Sequence, residues 1–257
     1  MTSFEEKLEA VKLRIWKACA RVGRDPDSVV IVAVTKTHDE NVVREAWENG
    51  LAVVGENKVQ EAAWKKERSV SGPDWHLIGH LQSNKARQAL SIFDMIHSVD
   101  SVKLLRKLED ISAECGLKPR ILLEVNVSGE KSKNGLSPDD VPALLEYYLS
   151  NCNRVSIEGF MTMAPYDPDP ESARPYFRRL RELRDDMEKR YSFSLPQLSM
   201  GMSGDFEVAV EEGATFVRLG TILFGDRPKL KRIAPVSSDP DDIAASVPDD
   251  ETVRILD

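Results

Sequence analysis

Apolar, β-branched runs recur eight times along the 257 residues, separated by segments of helical period, and this rhythm leaves few folds open. The runs fall at 29–36, 51–57, 75–80, 95–100, 120–127, 156–163, 197–203 and 215–225. Between them, stretches such as 41–47, 102–108 and 176–184 repeat apolar residues at helical spacing. Near-continuous apolar strands flanked by amphipathic helices predict a parallel sheet covered on both faces. Eight such units in roughly 250 residues is the count of a single (β/α)8 TIM barrel. An open doubly wound sheet is the structural alternative. A first helix around residues 4–22 carries apolar Leu8, Val11, Ile15 and Trp16, and has the barrel bottom or an outer groove to cover.

No linker, low-complexity insert or close internal repeat interrupts residues 1–230, which read as one barrel domain with its N-terminal helix. Residues 231–257 read as an acidic, flexible tail. From 234 to 257 seven acids stand against one base, so six of the chain's eight excess negative charges lie there. The body is therefore near neutral and has no basic stripe, which argues against a nucleic-acid partner. No apolar stretch approaches the length of a membrane span. The start, Met1-Thr2-Ser3-Phe4-Glu5-Glu6-Lys7, has neither the basic beginning nor the apolar core of a signal peptide. The expectation is a cytoplasmic protein with no membrane partner. Cys19, Cys115 and Cys152 are too scattered for a disulfide framework and read as small packing residues, and with the four histidines they offer no metal-ligand spacing.

In a TIM barrel the strand C-termini and the loops after them build the functional site. The first run, Val29-Val30-Ile31-Val32-Ala33-Val34-Thr35-Lys36, delivers a primary amine to that end. An amine leaving an apolar core suits Schiff-base chemistry with an aldehyde; a lysine that merely marks the end of a strand is the plain alternative. The loops after strands seven and eight commonly bind phosphate in this fold, and Ser203-Gly204 and Gly220-Thr221 stand there. Glycine admits close backbone approach and the hydroxyls donate hydrogen bonds. Otherwise Ser203 caps the helix beginning near Asp205 and Gly220 relieves crowding. Arg218, inside an apolar strand, needs a buried acceptor or a ligand. A structural salt bridge would satisfy it, and so would the ring nitrogen of a pyridine at the mouth. Asn57 and His80 are placed to orient a ligand or its waters, with Val34, Ile78, Met161 and Met200 around it. His76, His97 and His38 form no recognisable constellation, and no Ser/His/Asp, Walker or zinc motif has the required spacing.

These residues resemble the YggS/PROSC family of pyridoxal 5′-phosphate (PLP)-binding proteins, also called PLP homeostasis proteins. The matching pieces are Ala33-Val34-Thr35-Lys36, Gly55-Glu56-Asn57-Lys58-Val59-Gln60-Glu61, the segment 75–85, Leu198-Ser199-Met200-Gly201-Met202-Ser203, and the segment 213–221. The resemblance implies a barrel similar to the N-terminal domain of alanine racemase, PLP held as an aldimine on Lys36, phosphate contacts at Ser203, Gly220 and Thr221, and Arg218 facing the pyridine nitrogen. It implies a carrier or homeostasis role with little or no catalysis, PLP as the bound partner and apo forms of PLP-dependent enzymes as recipients. Lys58 stands where that pattern leads one to expect tyrosine, and the acidic segment after Pro235 lies beyond it. The alternative is a fold-type III racemase or decarboxylase, which needs an acid/base on each face of the substrate carbon. The β-rich second domain and the tyrosine contributed across a dimer in alanine racemase-like enzymes have no counterpart in the chain, so a monomeric cofactor handler is favoured over an amino-acid enzyme. A Schiff-base aldolase ranks behind both, because Arg218 and Gly220-Thr221 suit a phosphorylated pyridine better than a sugar phosphate.

Overall fold

A computed structural model describes residues 2–130 and 133–225, and the expected acidic tail lies outside the described residues. Eight parallel strands close on themselves in sequence order: β1 (Val30–Val34), β2 (Val53–Glu56), β3 (Asp74–Leu77), β4 (Met95–Val99), β5 (Arg120–Glu124), β6 (Ser156–Met161), β7 (Gln197–Ser199) and β8 (Phe216–Leu219). Helix α1 (Phe4–Val22) precedes β1. After the strands, in turn, come α2 (Asn41–Glu48), α3 (Val59–Arg68), α4 (Ala86–Ile92), α5 (Val102–Cys115), α6 (Val141–Asn151), α7 (Arg174–Tyr191), α8 (Phe206–Glu211) and α9 (Thr221–Phe224). The pairing of β1 with β8, Val30 opposite Phe216 and Val32 opposite Arg218, closes the sheet and rules out the open alternative.

Alternation along each strand splits the apolar residues into two cores. Val32, Val34, Ile78, Met95, Leu122 and Met161 pack inside the barrel with Val53 and Phe216. Ala33, Val54, Leu77, Ile96, Leu123 and Phe160 face outward into the helical layer.

All eight runs form strands, but shorter than their apolar extents. The seventh ends at Ser199 because the chain turns away at Gly201, whose φ of +90° is a left-handed conformation that glycine adopts without strain. The eighth run contains a helix: Leu223 and Phe224 donate their N–H groups to Gly220 O, so Ile222-Leu223-Phe224 coil instead of extending. A short apolar run carries too few residues to separate the two periods.

Helix α1 takes the outer groove. It starts at a capping box, in which Ser3 Oγ accepts from Glu6 N and Glu6 Oε2 accepts from Ser3 N, and stops at Gly23 with φ +67°. Its face of Phe4, Leu8, Val11, Ile15, Ala18 and Cys19 is buried, and Arg14 and Arg21 pair with Glu207 and Glu211 of α8. With only six residues, α8 leaves flank to be covered, and α1 covers it. Trp16 does not join that face and is 55% exposed. Cys19 is buried and half-buried Cys152 packs against the core, but Cys115 is exposed, so the packing role assigned to all three fails at Cys115. Leu8→Ala removes a side chain buried against this flank and is expected to lower the unfolding free energy by about 2–5 kcal/mol, read by urea denaturation.

Candidate ligand site at the barrel mouth

Lys36, Asn57, Ser203, Arg218, Gly220 and Thr221 line one cavity of about 620 Å³ at the C-terminal ends of the strands. Val34, Ile78 and His80 line it too, and His80 Nδ1 faces Asp100 Oδ2 at 3.3 Å. Two expected neighbours are elsewhere. Met161 lies in the inner core, and Met200 turns outward into the helical layer, because the chain has already left the strand there; Met163 and Met202 line the cavity instead.

Lys36 sits two residues past β1, on a turn clamped from below. Lys65 Nζ donates to Thr35 O at 2.7 Å, to Glu56 Oε1 at 2.7 Å and to Glu61 Oε1 at 2.8 Å. Thr35 Oγ1 donates to Glu56 Oε1 at 2.6 Å, and Thr37 N donates to Glu61 Oε1 at 2.6 Å. Both neighbours of Lys36 are thus tied to one buried charged cluster. The tie holds Thr37 at φ +67°, a conformation that costs a β-branched residue on the order of 1–3 kcal/mol. Burial pushes the Glu56 carboxyl up, against the downward pull of Lys65 and of the Thr35 hydrogen bond. Sequence reading passed over Glu56, Glu61 and Lys65 as site residues. A signal was present: Lys65 falls in line with Val59 and Ala62, at successive three-residue steps, on the buried face of α3.

Glycines shape the adjoining walls. A Cβ at Gly79 would stand 2.4 Å from Asn57 O, so only glycine lets the end of β3 lie against Asn57. A Cβ at Gly220 would meet Val34 O at 3.3 Å, so Gly220 relieves crowding at the seam beside the Lys36 turn as well as lining the cavity. Ser203 does not cap α8. Its Oγ accepts from Ile222 N at 3.4 Å and ties the β7–α8 loop to the start of α9, while Asp205 Oδ1 accepts from Met202 N at 2.6 Å.

Arg218 is 4% exposed and, among the described residues, has no carboxylate within ion-pair distance, so the structural salt bridge is not its partner. NH1 donates to Ser199 Oγ at 2.8 Å and NH2 to Thr162 O at 2.9 Å, which leaves further N–H groups of the guanidinium for the cavity. Burial lowers it to about 10, so it remains charged at neutral pH. Glu124, at the end of β5, lines the same cavity. Burial, helped by Asp100 and opposed by Arg218, raises its carboxyl to about 7. His76 and His97, which the sequence left unconnected, form a buried hydrogen-bonded pair beneath Arg218. Among the described residues no cluster of three or more His, Cys, Asp or Glu could hold a metal ion, and no helix is long and apolar enough to cross a membrane.

An amine on a fixed turn, a buried guanidinium with no carboxylate at ion-pair distance among the described residues, and hydroxyl and glycine groups on the last two βα loops define a barrel protein with a polar cavity at its mouth. Residues 8–228 match the family model described as alanine racemase, N-terminal domain. The pyridoxal phosphate homeostasis protein of Aquifex aeolicus is 46% identical over 224 residues, covering 86% of this chain and 97% of that protein. The human protein of the same name is 36% identical over 246 residues, covering 89% and 88%. PipY of Synechococcus elongatus, solved with PLP bound, superposes with a TM-score of 0.77 at 37% identity, covering 87% of this chain and all of that one. The chain belongs to the pyridoxal phosphate homeostasis protein family. An alanine racemase of Clostridium difficile shares the fold, with a TM-score of 0.66 at 14% identity over 84% of this chain and 60% of that one.

Lys65→Met removes the cation from the clamp and leaves Glu56 buried without it; a loss of about 3–5 kcal/mol in urea denaturation is expected. Glu124 supplies a pH-dependent test. Its folded pKa lies above the unfolded value, so its contribution to stability is fully present below about pH 4.5 and is lost as pH rises through about 7. Glu124→Gln is therefore expected to gain roughly 2 kcal/mol on wild type between about pH 5 and about pH 8. An equal difference at both pH values would count against the raised carboxyl.

Proposed function

We propose that the protein binds PLP at the barrel mouth through Lys36 and serves as a cofactor carrier, releasing PLP to apo forms of PLP-requiring enzymes. The observation that carries this reading is the convergence of all six residues on one cavity, in a chain 37% identical to a protein solved with PLP bound. The residues fit the group. Lys36 offers the primary amine for an aldehyde. Ser203, Gly220 and Thr221 offer hydroxyl and backbone donors for a phosphate at adjacent strand ends. Arg218 is assigned to the pyridine nitrogen, where a guanidinium donates a hydrogen bond and keeps its proton. Asn57, against which Gly79 lies, orients the ligand from the residue just past β2.

When bound, PLP supplies an aldehyde carbon open to amines and a ring that withdraws electrons. An arginine partner, unlike an acid that protonates the ring, leaves that withdrawal weak. The naming of the relatives as homeostasis proteins rather than enzymes supports a non-catalytic role. The same reading places the protein in the cytoplasm as a monomer, checked by fractionation and by light scattering on a sizing column.

Borohydride reduction of the PLP-loaded protein followed by peptide mapping is expected to place pyridoxyl phosphate on Lys36. Label on another residue, or no retained cofactor, sinks the site. Lys36→Ala is expected to lose the visible band while keeping weaker, reversible PLP binding. Stoichiometric transfer to an apo-enzyme, without turnover across an amino-acid panel, is the expected functional outcome; sustained racemisation would favour the enzyme alternative.

A further inference from the structure

Beneath Arg218 a line of polar side chains runs through the barrel interior, away from the mouth. Arg218 NH1 lies 2.8 Å from Ser199 Oγ, Ser199 Oγ lies 2.9 Å from His97 Nδ1, and His97 Nε2 lies 3.0 Å from His76 Nδ1. Ser199 and His97 are completely buried, and His76 is 1% exposed. His76 also lines a second cavity, of about 330 Å³, together with Val30, Asp74 and Arg120 from the opposite end of the strands.

Donor and acceptor accounting gives this line one direction. A guanidinium only donates, so Ser199 Oγ accepts from Arg218. The Ser199 hydroxyl proton then has His97 Nδ1 as its acceptor. His97 therefore carries its proton on Nε2 and donates to His76 Nδ1, which puts the His76 proton on its own Nε2. That atom is the buried end of the line, without a hydrogen-bond partner among the described residues. The reverse arrangement would strand the serine proton as well, in a site where an unmade hydrogen bond carries its full desolvation cost. Every link thus presents its acceptor toward Arg218.

Such a chain does what a carboxylate could not. It fixes a buried guanidinium without an ion pair, with the Asp205 and Glu124 carboxyls of the same cavity acting on it only electrostatically. We infer that Ser199, His97 and His76 are positioning residues that aim Arg218 into the mouth, acting without contact to the ligand. The inference rests on the reading of Arg218 as a PLP contact, but the direction of the chain does not. Burial keeps both rings neutral, His76 at about 3 and His97 well below its usual range, with Arg218 pressing on His97 from the mouth and Arg120 on both rings from the other end.

The test has two arms. In the ligand-free wild type, long-range nitrogen–proton NMR should find His97 and His76 neutral, as Nε2–H tautomers, from about pH 5 to about pH 9. A charged ring in that range, or an Nδ1–H tautomer at His97, overturns the chain whatever the protein binds. In the second arm, Ser199→Ala and His97→Leu, checked for native circular dichroism, should still be labelled on Lys36 by borohydride. Their dissociation constants for PLP should rise roughly tenfold, the scale of one lost buried hydrogen bond, with a shifted visible band. Wild-type affinity and band in both variants would overturn the positioning role. Failure of the wild type itself to be labelled on Lys36 would instead fall on the proposed function, leaving the NMR arm to decide the chain. Should a variant not fold, the tautomers of the wild type still confirm or overturn the chain.

Discussion

The mouth exists only because the first strand hydrogen-bonds to the last. Parallel pairing of β1 with β8 sets Val32 opposite Arg218 and seats Gly220 where a Cβ would meet Val34 O at 3.3 Å. Lys36 from the start of the chain and Arg218, Gly220 and Thr221 from its far end therefore meet at one seam. No local segment holds both halves. The cost of bringing such distant segments together is recovered only when the inner core of Val32, Val34, Met95, Leu122, Met161 and Phe216 closes over itself. Formation of the site and formation of the fold are the same event.

Beside that seam, the Lys36 turn depends on charge rather than on apolar packing. A buried ion pair is weak evidence for stability, since removing both ions from water costs nearly what their attraction returns. Its value here is geometric. Lys65 reaches Thr35 O, Glu56 and Glu61 at once, and the two carboxylates reach the residues on either side of Lys36. A left-handed threonine persists only where its surroundings over-determine it, and this cluster does so.

The strands, and the residues that line the cavity at their ends, were legible in the sequence because both follow from period: β-branched runs mark the barrel, and the barrel fold says which end to search. The parts that were not legible depend on register between segments. Thr221–Phe224 reads as a continuation of β8, because three apolar residues have no period of their own. Lys65 reads as one more basic residue on a charged helix until α3 docks and its Val59–Ala62 face turns inward. His76 and His97 look isolated because they lie on different strands; the pairing of His76 with Met95 is what sets His97 two residues further along and within reach of Ser199. Met200 failed for the converse reason, since its expected inward place assumed a strand that ends at Ser199.

Two polar systems serve the mouth, and their different chemistry follows from where each is buried. The Lys65 cluster lies between sheet and helix, where three acceptors converge on one ammonium and offset its desolvation. The line below Arg218 lies inside the barrel, where the His76 and His97 rings pack 5.4 and 5.5 Å from the Phe216 ring and little can solvate a second charge. Neutral imidazoles are the polar groups that such an interior tolerates, and each can accept at one nitrogen and donate at the other. Burial thus keeps charge out of the interior below Arg218, while at the mouth it raises the Glu124 carboxyl to about 7.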